Sequence, residues 1–124
     1  MTHTILIAED DEPMRQMIVE TLSAYDVVPV EDGEAAWAYL TDDDAPDPAL
    51  AIFDVMMPEL DGFGTLERLR GADDDDLASL PVVVLTSRGR EADVLRALDL
   101  DATDFVTKPF RPFELRARVE RILS

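Results

Sequence analysis

Leu50-Ala51-Ile52-Phe53-Asp54 is a short, unbroken apolar run closed by a carboxylate. A run of this kind without polar alternation reads as a strand buried on both faces, the pattern of a parallel sheet covered by helices. Asp54 then stands at the strand's carboxyl end, followed by Val55-Met56-Met57-Pro58-Glu59-Leu60-Asp61-Gly62. Ile5-Leu6-Ile7-Ala8 is a second such run, and it is followed by Glu9 and Asp10. Carboxylates at the ends of neighbouring buried strands share one sheet edge. They repel one another unless protons or a hard cation neutralise them. The expectation is a Mg²⁺ site with a reactive aspartate.

Outward from these two runs, further apolar stretches lie near 27–30, 82–85 and 105–106, with helical patterns between them. Met14, Met17, Ile18, Thr21, Leu22 and Tyr25 fall on one helical stripe, with Pro13 near its start. Ala36, Trp37 and Leu40 mark a second helix opened by Asp32-Gly33, and Phe63, Leu66 and Leu69 a third opened by Asp61-Gly62. Val94, Leu95 and Leu98 mark a fourth. Leu115, Val119, Ile122 and Leu123 mark a fifth, with Pro112 in its first turn. Strand and helix alternate five times, so the expected fold is α/β, a doubly wound five-stranded parallel sheet with right-handed crossovers. Ligands of such sheets bind beyond the carboxyl ends of the strands, where strand order reverses. Glu9, Asp10, Asp54, Thr86 and Lys108 all fall at such ends.

Composition bounds the rest. The 124 residues are 47% apolar, enough for one domain with a core. No apolar stretch reaches membrane-spanning length and the start lacks signal-peptide character, so a soluble cytoplasmic protein is expected. Cysteine is absent, which excludes disulfide and thiolate chemistry. Twenty-eight acids against 11 bases give a net charge of −17, which argues against direct binding of nucleic acid or an anionic membrane. The bases are ten Arg and one Lys, Lys108. The acidic runs Asp42–Asp44 and Asp73–Asp76 lack the spacing of a calcium loop and read as solvated loops. Trp37 reads as core or as a residue near a partner surface, and His3 as a solvated terminal residue.

The chemistry open to these residues is phosphoryl transfer. Asp54 can attack phosphorus in line to give an acyl phosphate. Mg²⁺ would offset the added charge, with Asp10 and Asp54 as direct ligands, Glu9 direct or through water, and Met56 through its backbone carbonyl. Thr86 offers a hydroxyl and Lys108 a compact ammonium to the phosphoryl oxygens. Lys108 precedes Pro109, the usual context of a cis peptide bond.

Four stretches together carry a resemblance. They are Ile5–Glu12, Asp54–Pro58 with Asp61-Gly62, Leu85-Thr86-Ser87, and Phe105–Phe110. In this order and at strand ends they resemble the receiver domain of two-component response regulators, over almost the whole chain. The resemblance implies the CheY-like strand order 2-1-3-4-5 and a single receiver domain over residues 1–124, free-standing or excised from a longer regulator. It implies that Asp54 takes phosphate from the phosphohistidine of a sensor kinase or phosphotransfer protein. Glu9 and Asp10 would be the metal pair, with Asp11 outside it, and Mg²⁺ the cofactor, replaceable by Mn²⁺. Thr86 and the aromatic Phe105 would be switch residues. The face of the fourth helix, fifth strand and fifth helix would then change partners, whether an effector domain or a docking protein. Phe105 lacks the hydroxyl of the tyrosine often found there, which leaves a packing switch without a hydroxyl contact. Met56 and Arg88 would tune the lifetime of the phosphate.

The stretch Ala97–Asp104 is most similar to receivers joined to DNA-binding domains. That implies a homodimer through the same face, with Asp104, Glu114 and Arg118 supplying charge. Asp101 and Thr103 replace the usual Gly and Asp there, which counts against symmetric pairing. Two other functions stand beside the switch. One is a Mg²⁺-dependent phosphatase with an aspartyl-phosphate intermediate, against which Met56 stands where an acid would serve the leaving group. The other is a receiver-like binding module that needs no phosphate.

Overall fold

Side chains of a strand point alternately to opposite faces of its sheet, and that alternation divides this protein's core. The computed structural model describes residues 3–56, 61–87 and 91–124. Its strands are β1 (Thr4–Ala8), β2 (Asp26–Val30), β3 (Leu50–Asp54), β4 (Val82–Ser87) and β5 (Asp104–Lys108). All pairings are parallel, in the order β2-β1-β3-β4-β5. Leu6, Ala8, Ala51, Phe53, Val82 and Val84 face one way, onto Ala36 and Leu40 of α2 (Gly33–Leu40), Phe63, Leu66 and Leu69 of α3 (Gly62–Arg70) and Ala97 of α5 (Glu91–Asp99). Ile5, Ile7, Leu50, Ile52, Val83, Leu85 and Val106 face the other way, onto Ile18 of α1 (Glu12–Thr21), Leu22 just beyond it, and Leu115 and Val119 of α6 (Pro112–Leu123). β3 is buried along its whole length. β2 is an edge strand, partly exposed, and carries Pro29 where a missing N–H costs little.

The helices start where local chemistry starts them. Asp11, Asp32 and Asp61 each accept a hydrogen bond from the backbone N–H three residues on, at 3.0, 2.7 and 2.7 Å. Each satisfies a donor that the first helical turn leaves free. Asp61, expected to open the third helix, is its cap. α5 ends in a Schellman turn, with Ala102 N–H on the Ala97 carbonyl at 2.9 Å and Asp101 N–H on that of Leu98 at 3.1 Å. Asp101 takes the left-handed position with φ of 59°, where glycine is usual.

Two expectations need correction. The Asp73–Asp76 run is not only loop: Asp74 caps one helical turn, α4 (Asp75–Ala78), accepting from Asp76 and Leu77 N–H. The predicted fourth and fifth helices are thus α5 and α6. On α5 the expected core stripe is displaced. Ala97 is the buried residue, Val94 is half-buried, and Leu95 and Leu98 are both 56% exposed. Ala97 faces the sheet, and Leu95 and Leu98 fall off that face of the helix. Met57, Pro58 and Arg88, named in the sequence reading, lie outside the described residues.

Candidate functional site

The chain runs from β1 to β2 in one direction and from β3 onward in the other, so strand order reverses between β1 and β3. Glu9 and Asp10 follow β1, and Asp54 ends β3, at that crevice. Glu9 N–H bonds to the Val30 carbonyl and Val55 N–H to the Leu85 carbonyl, both at 3.1 Å. These bonds carry the ladder one residue past each run and hold the acid positions. Thr86 pairs in register with Thr107, and Ser87 with Lys108, on the next two strands. One edge therefore gathers residues up to 99 positions apart in sequence.

Glu9 is fully buried, Asp54 is 3% exposed and Thr86 1%. Asp10 is exposed at the rim. Carboxylate oxygens of Glu9, Asp10 and Asp54 lie within 4.8 Å of one another. The Lys108 ammonium sits 3.1 Å from Glu9 Oε1 and 3.1 Å from Asp54 Oδ2. It bridges two buried acids, and its bond to Pro109 is cis. Asp54 Oδ1 accepts from Met56 N–H at 3.2 Å. The Met56 side chain stands 57% exposed at the mouth. Phe105 is half-buried and packs against the core under α2, α3 and α5.

Burial, with the hydrogen bond and charge of Asp54 behind it, pushes the Glu9 carboxyl up to about 8, while Lys108 pulls it down. Burial alone would lower the Lys108 pKa, but the charges of Asp54 and Glu9 and their hydrogen bonds outweigh it and raise it. The acid pair is thus neutralised by one ammonium and, near neutrality, one proton.

Three clustered carboxylates are an all-oxygen donor set, suited to a hard divalent cation such as Mg²⁺. The Thr86 hydroxyl is buried and has no hydrogen-bond partner among the described residues. Buried polar atoms are rarely left so. A ligand oxygen at this edge would satisfy it.

Two contributors were not legible in the sequence. Arg15, one turn into α1, donates from Nη1 to the Glu9 carbonyl at 2.9 Å and fixes that backbone. Its helical position alone carries no such signal. Gly62 was quoted as part of a motif, but its reason is spatial. A Cβ there would lie 2.4 Å from the Asp54 carbonyl oxygen.

This fold and this edge define a class. Residues 5–120 match the response regulator receiver domain family, and the chain belongs to it. Among its relatives, the response regulator GtcR of Aneurinibacillus migulanus is 38% identical over 122 residues, which are 97% of this chain and 47% of that protein. The chemotaxis response regulator CheY4 of Vibrio cholerae superposes with a TM-score of 0.86 at 26% identity, covering 98% of this chain and 99% of that one. The Mn²⁺-bound form of response regulator Rcp1 gives 0.81 at 29% identity, covering 97% and 91%. The chain spans about half the length of the curated relatives it matches. No helix among the described residues is long and apolar enough to cross a membrane.

Proposed function

We propose that residues 1–124 form a phosphoacceptor switch of a two-component relay, acting in the cytoplasm, with Asp54 as the phosphorylated residue. The observation that carries this reading is the burial of Glu9, Asp54 and Thr86 around the Lys108 ammonium at the strand-order reversal. Glu9, Asp10, Asp54 and the Met56 carbonyl would hold Mg²⁺, with Mn²⁺ as a substitute, the ion named in the Rcp1 structure. When bound, the ion supplies positive charge for the carboxylates and for a phosphoryl oxygen.

This chain's own residues do the rest. An Asp54 carboxylate oxygen attacks phosphorus, the bond from phosphorus to the donor imidazole nitrogen breaks, and that nitrogen keeps the electron pair and takes a proton. Lys108, already 3.1 Å from Asp54 Oδ2, neutralises the charge that arrives there. The Thr86 hydroxyl, without a partner among the described residues, gains an acceptor. That new bond draws on the end of β4, beside α5 and Phe105. The face of α5, β5 and α6 is then the one that changes partners. The phosphodonor is a sensor histidine kinase or phosphotransfer protein, and the output an effector domain, a docking protein or a second copy. In the charged set read for a dimer, Asp104 is already held within the chain by Arg118 at 2.8 Å and Arg121 at 3.0 Å.

The test is labelling by acetyl phosphate with Mg²⁺, read by intact mass. One hydroxylamine-sensitive phosphoryl group per chain is expected, lost in Asp54→Ala and absent in EDTA. Undiminished labelling of Asp54→Ala contradicts the assignment. Multiple turnover of small phosphomonoesters supports the phosphatase instead.

A further inference from the structure

The ties of α5 are unevenly placed. In its first half Glu91, Ala92 and Leu95 are exposed, and Asp93 and Val94 half-buried. Among the described residues, the side-chain ties begin at Arg96. Its guanidinium lies over the Phe63 ring at 5.2 Å and 3.9 Å from Glu67, both on α3. Ala97 is fully buried. Beyond the helix, Thr103 N–H bonds to the Val82 carbonyl at 2.8 Å, and Thr103 Oγ1 accepts from Val82 N–H at 3.0 Å.

One side chain gathers this end. Arg70, at the last turn of α3, donates from Nε and Nη2 to the Asp101 carbonyl at 3.1 and 2.9 Å. Its Nη1 donates to the carbonyls of Ala78 and Leu80 at 3.0 and 2.8 Å. A planar guanidinium can hold such a fork because its donors are fixed in one plane. Four bonds thus join α3, the end of α4, the approach to β4 and the turn after α5. The carbonyl it grips belongs to Asp101, the residue held in the left-handed conformation at the Schellman turn. Aspartate tolerates that conformation less well than glycine, so two donors on its carbonyl help to hold the turn.

We propose that Arg70 is a positioning residue that fixes the C-terminal end of α5, so that α5 moves as a lever about the turn at residues 100–103. The proposal rests on the switch reading above. It adds which end of the helix moves: the first half has few ties among the described residues and lies nearer Thr86 in the chain, while the second half is clamped. A signal at Thr86 would then redirect Leu95 more than Leu100 or Ala102. Because the site and the clasp lie at opposite ends of the sheet, Arg70 touches none of the reacting groups.

Amide hydrogen exchange on the whole chain tests this, with parent and Arg70→Ala compared first in the absence of phosphodonor. Exchange at residues 100–103 is expected to quicken at least tenfold in Arg70→Ala, with residues 91–95 changed less than threefold. With acetyl phosphate and Mg²⁺, the parent is expected to change at least threefold at 91–95 and less than twofold at 100–103. Arg70→Ala is expected to label equally on Asp54 but to lose that contrast. If Arg70→Ala does not fold, Arg70→Lys keeps the charge without the fork, and a threefold gain at 100–103 is expected. Unaltered protection at 100–103 in the variants, or equal change at both ends in the phosphorylated parent, overturns the proposal. Failure of Asp54 to take phosphate, read by mass, refutes the switch reading and the lever with it. The comparison without phosphodonor then still decides whether Arg70 anchors the turn.

Discussion

Gly62→Ala and Gly71→Ala make the same chemical change at the two ends of α3, and the structure gives them opposite signs. An alanine Cβ at 62 would meet the Asp54 carbonyl oxygen at 2.4 Å, its carbon at 2.9 Å and Val55 Cα at 3.1 Å. Ordinary carbon–oxygen contact is about 3.4 Å, so the first approach is about 1 Å too close. All three neighbours are backbone, so no side chain can rotate away. Relief requires α3 to move off the end of β3, which also stretches the 3.3 Å bond from Gly62 N–H to the Val55 carbonyl. Overpacking of this kind costs about 1–3 kcal/mol, and a weakened hydrogen bond about 1 kcal/mol more. Against this, alanine restricts the unfolded chain and gains about 0.4–1 kcal/mol. The clash is larger, so Gly62→Ala should lose about 1–3 kcal/mol net. At Gly71 the nearest atom to a Cβ is the Glu67 carbonyl oxygen at 3.5 Å, and φ is −90°. Nothing opposes the entropy gain there, and Gly71→Ala should gain about 0.4–1 kcal/mol. Urea unfolding followed by circular dichroism gives both midpoints, with unchanged m-values as the check on two-state behaviour. Since the clash falls on the carbonyl of Asp54 itself, labelling by acetyl phosphate should slow at least tenfold in Gly62→Ala and not in Gly71→Ala. A Gly62→Ala protein as stable as the parent refutes the close approach of α3 to β3.

In EDTA, folded Glu9 keeps its proton to about pH 8 while the unfolded chain releases it near 4.5. The folded state binds more protons in that window, so its stability falls as pH rises through it, with a slope of up to about 1.4 kcal/mol per pH unit. Glu9→Gln should flatten that fall in urea titrations from pH 4.5 to 8; a parent curve that is level or rising relative to Glu9→Gln contradicts the assignment. Asp101→Gly should raise stability by about 0.5–1 kcal/mol, because glycine takes φ of 59° without the Cβ penalty. A lower thermal midpoint would show that the Asp101 side chain is needed there. Net charge of −17 makes the folded chain repel itself, so moving from 0.05 to 0.5 M KCl should raise the melting temperature through screening; no rise would mean the repulsion is already relieved.

Much of this molecule was legible in its residues. Unbroken apolar runs marked the strands, because a strand covered on both faces has no solvent side to record. Asp32-Gly33 and Asp61-Gly62 marked where the second and third helices open. The polar residues expected at strand ends do lie along one edge, since a parallel sheet brings all its carboxyl ends together. The buried face of helix α5 was not legible because its sheet-facing position is a single small residue, Ala97, while the apolar Leu95 and Leu98 lie off that face. The turn α4 was missed because a run of four aspartates reads as charge before it reads as a cap.

The sequence by itself determined the alternation of five strands with five longer helices, the two-faced core and the residue types gathered at one sheet edge, because these depend on local pattern and on the period of a strand or helix. Only the tertiary structure decided that Lys108 lies between Glu9 and Asp54, that Glu9 holds a proton near neutrality, that Gly62 must lack a side chain, and that Arg70 clasps three segments. Each of these depends on distances of about 3 Å between residues far apart in the chain, the scale on which hydrogen bonds, desolvation and steric contact act.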